Sequence, residues 1–542
     1  MTSVFRVAAL QTPAFSLEQA QDAARYLLDV IDRAATTEPR PDLLVLPECA
    51  YPAYYLAPCQ DVGLESYLRE AGAPTVAEFL AAVSDRARQH HVAIACGVAL
   101  PGSAGELTNG VVLFDRDGRR LVTAAKMFLW HFDGRWFQCG AQPALAELDG
   151  IKVGLFVCCD GRAPEIPRSL AVAGAELLVD STNWVTSGRS VAHLPNAQPD
   201  FMMKIRALEN RAWLVAANKV GMEADCIVYC GKSSIFDPDG QVVVMASTHQ
   251  PEVVTAAIPI EGDHLQGTGP GRPVADRLDP VAVRRSGAYL QLSSAATGSD
   301  PAPEQAPFVA VLQLPPEEPW SRIGRLVADM VVQGAAVLLF SPGLVAGQPS
   351  GELLQLSRSF PVLFVVTGDE TTAEGRYRTA WLLHEGRVLG VSRKGHLESE
   401  EQRAGYRMGP AEPAVFPTPW GNLAIIQGAE MLVPEVARSA SLQGADLLLW
   451  PHDLTSSWVE DLARTRAAEN RVYVAAAAPA IPGGESMIVD PAGTVLGRTF
   501  PGRRQGVGAY CLLPVARHKW IVPGTHALAQ DIREAWAHNL NL

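Results

Sequence analysis

An internal repeat is the feature that most constrains how this chain can fold. Residues 206–211 read RALENR, and residues 466–471 read RAAENR. Earlier in each copy, VAGAELL at 172–178 is matched by LQGADLL at 442–448. Repeats of this kind, in the same order, indicate a duplicated fold, so we predict two copies of one domain rather than one large core.

The two copies differ at their reactive side chains. When the repeats are aligned, Cys158 of the first copy lies opposite Gly428, and Glu48 lies opposite Gly343. The second copy therefore lacks a thiol and a carboxylate that the first copy keeps. This asymmetry predicts an enzyme half joined to a supporting half.

Length and composition place the boundary between the copies. At 542 residues the chain exceeds the size of a single hydrophobic core. Residues 293–307 are small, polar and rich in proline, which is typical of an interdomain linker. We therefore predict a first domain at 1–292, a linker at 293–307 and a second, degenerate domain at 308–542.

Short apolar runs alternate with helix-like stretches in each copy, as at 43–46 and 153–157. Buried strands flanked by helices are typical of α/β layered domains. Asp-Gly turns at 115–118 and 237–240 predict hairpins, so part of the sheet is expected to be antiparallel. A purely parallel dinucleotide-binding fold is thereby excluded.

Charge and cysteine content exclude several kinds of partner. A net charge of −13 argues against nucleic acid or an anionic membrane. No apolar run approaches the ~20 residues of a membrane span, and the first residues carry no signal-peptide pattern. The nine cysteines include no Cys-x-x-Cys pair, and only Cys511 lies in the second copy. We therefore expect reduced thiols, a cytoplasmic location and no zinc site.

Three reactive side chains of the first copy each follow an apolar strand: Glu48, Lys126 and Cys158. Strand ends at one edge of an α/β sheet converge on a common crevice. A carboxylate that accepts a thiol proton, a thiolate nucleophile and an ammonium that stabilises negative charge are together sufficient for acyl transfer. Taken singly, each has a plainer explanation: a buried cysteine in the core, a glutamate at a turn or cap, and a solvated lysine.

In this context the three side chains resemble those of the nitrilase (carbon–nitrogen hydrolase) superfamily. The resemblance covers nearly all of residues 4–290, and the second copy resembles the same fold more faintly, keeping Lys394 at the lysine position. It rests on these motifs: LVLPE at 44–48, Lys126, CCDGRAPE at 158–165, Asn183-Trp184, RALENR at 206–211, Asn218, Gly221 and SIFDPDG at 234–240. The family implies an αββα sandwich, so the expected fold class is α/β with two tandem αββα domains.

The resemblance also implies roles for individual residues. Glu48 would be the general base and Cys158 the nucleophile, while Lys126 and the backbone N–H of Cys159 would bind the oxyanion. The acid, arginine and Pro-Glu that follow fit the family pattern only if Cys158 is the nucleophile, which leaves Cys159 where the family has an aromatic residue. No metal and no organic cofactor is implied.

Further site residues are expected in the loops. Asp133 is predicted to orient Lys126 or the substrate, with a solvated loop position as the alternative. Arg162 is expected to pair with Glu165 or another internal acid, with substrate binding as the alternative. For the aromatic members of the predicted pocket, a plain core position is the alternative. The predicted pocket residues are Trp130, His131, Trp136, Asn183 and Trp184.

The sequence Cys-Cys-Asp at the nucleophile differs from the Cys-Trp-Glu of true nitrilases and is closer to the amidase and carbamoylase branches. The leading hypothesis is a thiol amidohydrolase that releases ammonia from a small linear amide or N-carbamoyl compound. Nitrile hydrolysis, a non-catalytic scaffold that binds a ligand or partner, and transfer to an amine instead of water stay open. Because domains of this family pair through their sandwich faces, we expect an intramolecular pseudodimer, with further homo-oligomers left open.

Overall fold

The computed structural model describes residues 3–103, 105–188, 190, 193–262, 264–267, 277–285, 288–289 and 306–529. Residues 293–305 of the predicted linker therefore lie outside the described residues. The chain divides into two compact units. The first unit comprises Met1–Gly271 with Val522–Thr525, and the second comprises Arg272–Ile521 with His526–Leu542.

The first half of the chain alternates strands and helices. Its described strands are β1 (Ser3–Pro13), β2 (Leu43–Val45), β3 (Ala93–Pro101), β4 (Leu107–Phe114), β5 (Arg120–Ala125), β6 (Phe137–Gln138), β7 (Ala144–Leu148), β8 (Ile151–Val157), β9 (Leu177–Ser181), β10 (Trp213–Ala217), β11 (Lys219–Glu223), β12 (Ile227–Cys230), β13 (Ser234–Phe236), β14 (Val242–Met245), β15 (Glu252–Glu261) and β16 (His264–Leu265). Its α-helices are α1 (Ala20–Thr36), α2 (Leu64–Glu70), α3 (Val76–His90), α4 (Glu165–Val172) and α5 (Met203–Asn210).

Two sheets form the centre of the first unit. One runs in the order β12-β11-β1-β2-β3-β4-β5, and the other in the order β14-β13-β10-β9-β8-β7. Strands β1, β2 and β3 are parallel, as are β8, β9 and β10, whereas β4 and β5 pair antiparallel around the predicted Asp-Gly turn. Contacts of β1 with β10 and of β3 with β9 pack the sheets on each other.

Helices cover the outer faces of these sheets. The apolar residues of α1 and α3 recur on one face and are buried against the first sheet, as Leu27, Ile31 and Phe79 show. Helix α3 is capped by the preceding residue, Thr75, whose hydroxyl accepts a hydrogen bond from the backbone N–H of Glu78. Helices α4 and α5 contact β8 and β10 of the second sheet. The layers are therefore helix, sheet, sheet, helix.

The second half repeats this plan. Its described strands are β17 (Phe308–Gln313), β18 (Ala335–Phe340), β19 (Leu363–Thr372), β20 (Gly375–His384), β21 (Arg387–Arg393), β22 (Val415–Thr418), β23 (Gly421–Ile425), β24 (Leu447–Pro451), β25 (Tyr473–Ala477), β26 (Met487–Val489), β27 (Val495–Arg498), β28 (Gln505–Tyr510), β29 (Trp520–Val522) and β30 (Thr525–His526). Its α-helices are α6 (Trp320–Val332), α7 (Gly351–Ser359), α8 (Ser399–Arg403), α9 (Pro434–Leu442), α10 (Val459–Asn470) and α11 (Leu513–Arg517).

Two six-stranded sheets build the second unit, in the orders β21-β20-β19-β18-β17-β28 and β22-β23-β24-β25-β26-β27. Side chains from both sheets, such as Val311, Val337 and Leu449, share one buried cluster between them. The opposite face of the first of these sheets is buried by α6 through Ile323 and Val327. The expected α/β class with two tandem αββα domains is confirmed. Among the described residues, no helix has both the length and the apolar character needed to cross a membrane.

Candidate active site

The ends of strands β2 and β5 bring a carboxylate and an ammonium into direct contact. Glu48 lies just beyond β2, Lys126 lies just beyond β5, and both side chains are buried. Lys126 Nζ lies 2.7 Å from Glu48 Oε1 and 2.7 Å from Asp133 Oδ2. One buried lysine therefore bridges two buried carboxylates.

The charge of Lys126 is set by this bridge. Burial by itself would lower the pKa of the ammonium, but Asp133 and Glu48 outweigh burial, so the pKa lies well above its usual value. Lys126 is therefore a permanent cation at neutral pH. A fixed positive charge in a water-poor site stabilises negative charge that develops on a substrate oxygen.

Asp133 belongs to the buried network and not to a solvated loop. Its side chain is fully buried. The Tyr54 hydroxyl donates to Oδ1, and the backbone N–H of Trp130 donates to Oδ2 at 2.9 Å. With Lys126 on the same carboxylate, Asp133 fixes the loop that follows the lysine and holds the ammonium in place.

Glu48 keeps one oxygen available. Its Oε1 accepts hydrogen bonds from Asn109 Nδ2 and from Lys126 Nζ. Its Oε2 is buried and has no hydrogen-bond partner among the described residues. An ionised carboxylate with an unused oxygen is equipped to accept a proton.

Cys158 stands at the end of β8, where a short 3₁₀ helix begins. Its backbone has φ +49°, an uncommon left-handed conformation for a residue with a side chain. Its N–H donates to Asp180 Oδ1 at 2.8 Å, and its carbonyl accepts from Gln198 Nε2 at 2.7 Å. The turn that presents the thiol is thus fixed from both sides.

The thiol of Cys158 is protonated at rest. Burial raises its pKa well above the usual value, the Glu48 carboxylate raises it further, and Lys126 acts in the opposite direction. Nucleophilic attack by this sulfur therefore requires a base, and Glu48 is the charged acid with the largest electrostatic effect on the thiol.

Cys159 occupies the first turn of the same 3₁₀ helix, and its side chain is buried. The first N–H groups of a helix have no acceptor within the helix, so they are available to an anion. Burial raises the pKa of the Cys159 thiol.

Asp160 links the loop that follows Lys126 to the turn that carries Cys158. Its Oδ1 accepts from the backbone N–H groups of Met127 at 3.0 Å and Phe128 at 2.7 Å. Its Oδ2 accepts from the N–H of Val157 at 3.0 Å. Burial raises the pKa of this carboxyl to about 7 against the effect of these hydrogen bonds. One side chain therefore sets the spacing between the lysine and the thiol.

The RALENR motif holds the turn that carries Cys158 through hydrogen bonds to its backbone carbonyls. Arg206 Nε donates to the carbonyl of Gly161 at 2.8 Å, and its Nη2 donates to the carbonyl of Arg162 at 3.1 Å. Arg206 Nη1 lies 2.6 Å from Glu209 Oε1, and both side chains are fully buried. The motif is a structural brace for the turn.

Asn183 and Trp184 carry buried polar atoms without partners. Both side-chain atoms of the Asn183 amide lack a hydrogen bond among the described residues, although the residue is only 4% exposed. Trp184 Nε1 and the Thr182 hydroxyl are likewise buried and unpaired. Unpaired buried groups are destabilising unless a ligand or water satisfies them, so this stretch is equipped for binding.

The other three predicted pocket residues differ in environment. Trp130 is half-buried, and the Arg162 guanidinium lies 4.9 Å from its ring centre. His131 is exposed. Trp136 packs edge-on against Tyr55, at 5.2 Å between ring centres, and belongs to the margin of the core.

Arg162 forms no ion pair with a carboxylate among the described residues, so the expected pairing with Glu165 does not occur. Burial lowers the pKa of its guanidinium, while Cys159 and Cys158 oppose that effect. The arginine is therefore a partly buried cation close to the reactive turn.

Several functional residues carry no clear signal in the sequence. They are Tyr54, Asn109, Asp180 and Gln198, which hold Asp133, Glu48 and the two sides of Cys158 respectively. Asn109 and Asp180 lie in mainly apolar strands. A single polar residue in a buried strand indicates a hydrogen-bonding role, but it does not indicate which partner it binds. Tyr54 and Gln198 lie in loop and π-helix segments whose geometry only the fold provides.

Thr525 also contacts the loop that carries Asp133. Within the first unit, its hydroxyl accepts from the backbone N–H of His131 at 2.8 Å and donates to the carbonyl of Leu129 at 3.1 Å. The residue lies almost four hundred positions away in sequence. No local pattern relates it to the site.

The second unit has no side chain equivalent to Cys158 or Glu48. Gly428 and Gly343 stand at these two positions, as the aligned repeats predicted. Lys394 is buried, and its Nζ lies 2.9 Å from Glu398 and 2.7 Å from Glu401. The lysine is kept without equivalents of Glu48 and Cys158 beside it.

No group of His, Cys, Asp and Glu side chains among the described residues is suited to hold a metal ion. None of the nine cysteines, all of which lie in the described residues, forms a disulfide, and Cys139 and Cys226 are exposed.

Comparison with known proteins identifies the family. The model of the carbon-nitrogen hydrolase family matches residues 6–262 and again 309–508. A hydrolase encoded in the pqqF 5' region of Pseudomonas protegens is 34% identical over 253 residues, which cover 46% of this chain and 81% of that protein. An (R)-stereoselective amidase of a Pseudomonas species is 31% identical over 225 residues, which cover 42% of this chain and 76% of that protein.

Among solved structures, an amidase from a Nesterenkonia species matches with 24% identity and a TM-score of 0.42, covering 48% of this chain and 92% of its own. The family model matches both copies and more than half of the chain. The chain belongs to the carbon–nitrogen hydrolase family, with two family domains in tandem.

Proposed function

We propose that the first unit is a thiol amidohydrolase that cleaves the C–N bond of a small linear amide or N-carbamoyl compound. The observation that carries this proposal is the buried Lys126 bridge, in which Glu48 keeps an unpaired oxygen and is electrostatically coupled to the Cys158 thiol. Family membership and the likeness to an amidase support a carbon–nitrogen bond as the target.

Acylation follows from the charges of these groups. Glu48 Oε2 accepts the proton of Cys158, and the sulfur forms a bond to the carbonyl carbon as the C=O π electrons move to oxygen. The resulting oxyanion is stabilised by Lys126 Nζ and by the backbone N–H of Cys159. The protonated Glu48 then gives its proton to the nitrogen, the C–N bond breaks, and ammonia leaves a thioester on Cys158.

Deacylation reuses the same groups. Glu48 removes a proton from a water molecule, and the hydroxide oxygen forms a bond to the thioester carbon. The C–S bond then breaks, and the sulfur recovers the proton that Glu48 carries. The product is a carboxylic acid from an amide, or a carbamic acid from an N-carbamoyl compound, which decomposes to carbon dioxide and an amine.

Arg162 favours substrates that carry a carboxylate. It is a cation without a carboxylate partner among the described residues, and it lies against Trp130 close to the reactive turn. A buried cation gains most from a charged partner, so a substrate anion would complete the site. The neutral amide group itself would be oriented by the unpaired Asn183 side chain.

Ammonia release from matched pairs of compounds tests this function. We expect turnover of propionamide or N-carbamoylglycine, a lower kcat/KM for methylurea than for N-carbamoylglycine, and no turnover of propionitrile. The Cys158→Ala variant is expected to be inactive, whereas Cys96→Ala, which removes another buried thiol, should stay active. Full activity in Cys158→Ala, or turnover of the nitrile alone, would refute the proposal. Formation of a hydroxamate when hydroxylamine is added would detect the acyl intermediate.

A further inference from the structure

The second unit keeps a cavity where the first unit has its reactive groups. It has a volume of about 600 Å³ and is lined by Gly343, Thr367, Lys394, Gly428 and His452, among others. Small-molecule sites in proteins commonly enclose roughly 300–1,000 Å³. The loss of the base and the thiol therefore left a space of ligand size.

In this cavity an anion could be bound between Lys394 Nζ and the backbone N–H of Ala429, which correspond to Lys126 and the N–H of Cys159 in the first unit. We call this place the anion position, and a side chain of the protein itself occupies it. Glu398 Oε1 lies 2.9 Å from Lys394 Nζ and accepts from the backbone N–H of Ala429 at 3.3 Å. Ala429 follows Gly428 as Cys159 follows Cys158. A Cβ atom placed on Gly428 would lie only 2.8 Å from Glu398 Oε1, so this carboxylate takes the space of the missing nucleophile.

Every cation that lines the cavity is ion-paired within the second unit. Arg277 lies 2.6 Å from Glu398 and 2.8 Å from Asp453, and Lys394 also lies 2.7 Å from Glu401. Although burial opposes ionisation, Lys394 and Arg277 lower the pKa of Glu398 to about 2, so the carboxylate is charged at neutral pH.

The remaining two cations, Arg376 and Arg378, are held in the same way. Both pair with Asp369, at 3.3 and 2.7 Å, and both lie over the ring of Tyr406. Among the described residues, the cavity thus offers no unpaired cation to an anionic ligand.

Uncharged hydrogen-bonding groups are what the cavity does offer. His452 is 1% exposed, and neither of its ring nitrogens has a hydrogen-bond partner of good geometry among the described residues, although the backbone of Leu454 lies close enough to act on the ring as a weak partner. Burial lowers the pKa of His452 to about 4, so the ring is neutral at pH 7 and presents one donor and one acceptor. The hydroxyl of Thr367, which is buried and has no hydrogen-bond partner in the described part of the chain, adds a second donor and acceptor.

We propose that the cavity of the second unit binds a small uncharged molecule with adjacent donor and acceptor groups, such as a primary carboxamide or a urea. The neutral His452 ring and the Thr367 hydroxyl complement one N–H and one C=O of the ligand. Glu398, fixed on Lys394 and Ala429, excludes carboxylates by occupying their place and by charge repulsion. Binding here is non-covalent and independent of the chemistry assigned to the first unit.

Nuclear magnetic resonance of the full chain labelled with ¹⁵N in its histidine rings tests this site directly. The His452 signals are assigned by their loss in His452→Gln, and His384, paired with Trp420 elsewhere in the second unit, is the control. Acetamide or urea should shift the His452 signals saturably, with at least tenfold lower half-saturation than sodium acetate, while His384 stays unchanged. Linear, unsaturable shifts, or equal affinity for acetate and acetamide, would overturn the proposal.

Two variants sharpen the test. Thr367→Val should weaken acetamide binding several-fold without changing the His384 signal, because it removes one hydroxyl of the site. Glu398→Ala should allow acetate to bind, because it frees Lys394 and the Ala429 N–H. If acetate still fails to shift His452 in Glu398→Ala, then Glu398 is not what excludes anions. All spectra are recorded in a Cys158→Ala background, so that the first unit cannot turn acetamide into acetate and the results stay separate from any outcome on amide hydrolysis.

Discussion

The two units keep the same support beneath different sites. Arg206 Nη1 lies 2.6 Å from Glu209, and Arg466 Nη1 lies 2.7 Å from Glu469. Each arginine also donates through Nε to a carbonyl of its 3₁₀ turn at 2.8 Å. The motif by which the repeat is most readily recognised therefore serves the fold, and it survives where catalysis does not.

The two lysines show the difference in chemistry. Lys126 and Lys394 are each neutralised by two carboxylates. In the second unit both oxygens of Glu398 and Glu401 have partners, whereas Glu48 Oε2 has none. A buried lysine needs charge balance in either unit, but only the first unit balances it with a carboxylate that is free to accept a proton.

The largest expected effect separates the two turns. Cys158→Ala should lower kcat of the hydrolase by about 10⁴-fold or more, as removal of a nucleophile does in other covalent hydrolases. Gly428→Cys should give no second activity and should destabilise the second unit, because its Cβ meets Glu398 at 2.8 Å. Steady-state ammonia release and thermal unfolding measure both. Activity that depends on a cysteine at position 428 would break the comparison.

The lysines test the shared structural role. Lys126→Met should lower the free energy of unfolding of its unit by about 3–5 kcal/mol, because it leaves two buried carboxylates without their cation. Lys394→Met should cost less, because Glu398 keeps Arg277 and Glu401 keeps Arg378. Only Lys126→Met should abolish hydrolysis. Urea denaturation measures the loss of stability, and limited proteolysis of the partly unfolded protein shows which unit has unfolded. A stable and active Lys126→Met protein would contradict the bridge.

The second unit should lose stability in acid through His452. Its pKa is lowered from 6.5 to about 4, with burial as the main cause and Arg277 acting in the same direction, while Asp453 and the backbone of Leu454 oppose the shift. The unfolded chain binds a proton that the folded unit does not, so stability falls as pH drops from about 6.5 to 4, by about 3 kcal/mol. In His452→Gln this part of the pH dependence of unfolding should vanish. An identical pH profile in the variant would contradict a neutral buried ring.

Asp160 and Glu430 make a matched pair. Asp160 receives the N–H groups of Met127 and Phe128, and Glu430 receives those of Gly395 and His396. Asp160→Asn should lower the free energy of unfolding by about 2 kcal/mol. The backbone N–H donors bind both oxygens of the carboxylate, whereas an amide has only one acceptor oxygen. Asp160→Glu, which copies the second unit, should be tolerated better. Equal loss in both variants would mean that side-chain length, not acceptor capacity, is what the turn requires.

The smallest effect is expected at Thr525. Thr525→Val removes two hydrogen bonds, to Leu129 and His131, from the loop of Asp133. Because His131 is exposed, water replaces part of the lost hydrogen bonding. The net loss is expected to be about 1 kcal/mol, which corresponds to a roughly fivefold decrease in kcat/KM. Thr525→Ser, which keeps the hydroxyl, is the control. No difference between Val and Ser would remove Thr525 from the site.

The sequence by itself determined the duplication, the layered α/β class and the convergence of Glu48 and Lys126, because strand periodicity and strand-end positions are local properties of the chain. The predicted pairing of the halves as a pseudodimer, the domain boundaries and the catalytic roles stay predictions.

Only the tertiary structure decided which groups are paired. In the structure Asp133 pairs with Lys126, and Glu398 occupies the anion position of the second unit. Among the described residues, Glu48 Oε2 and the Asn183 amide have no hydrogen-bond partner, and Arg162 does not form its expected ion pair. These outcomes depend on distances between side chains far apart in sequence. Pairing in turn sets charge state and reactivity, because burial makes the free energy of a charge depend on the nearest partner.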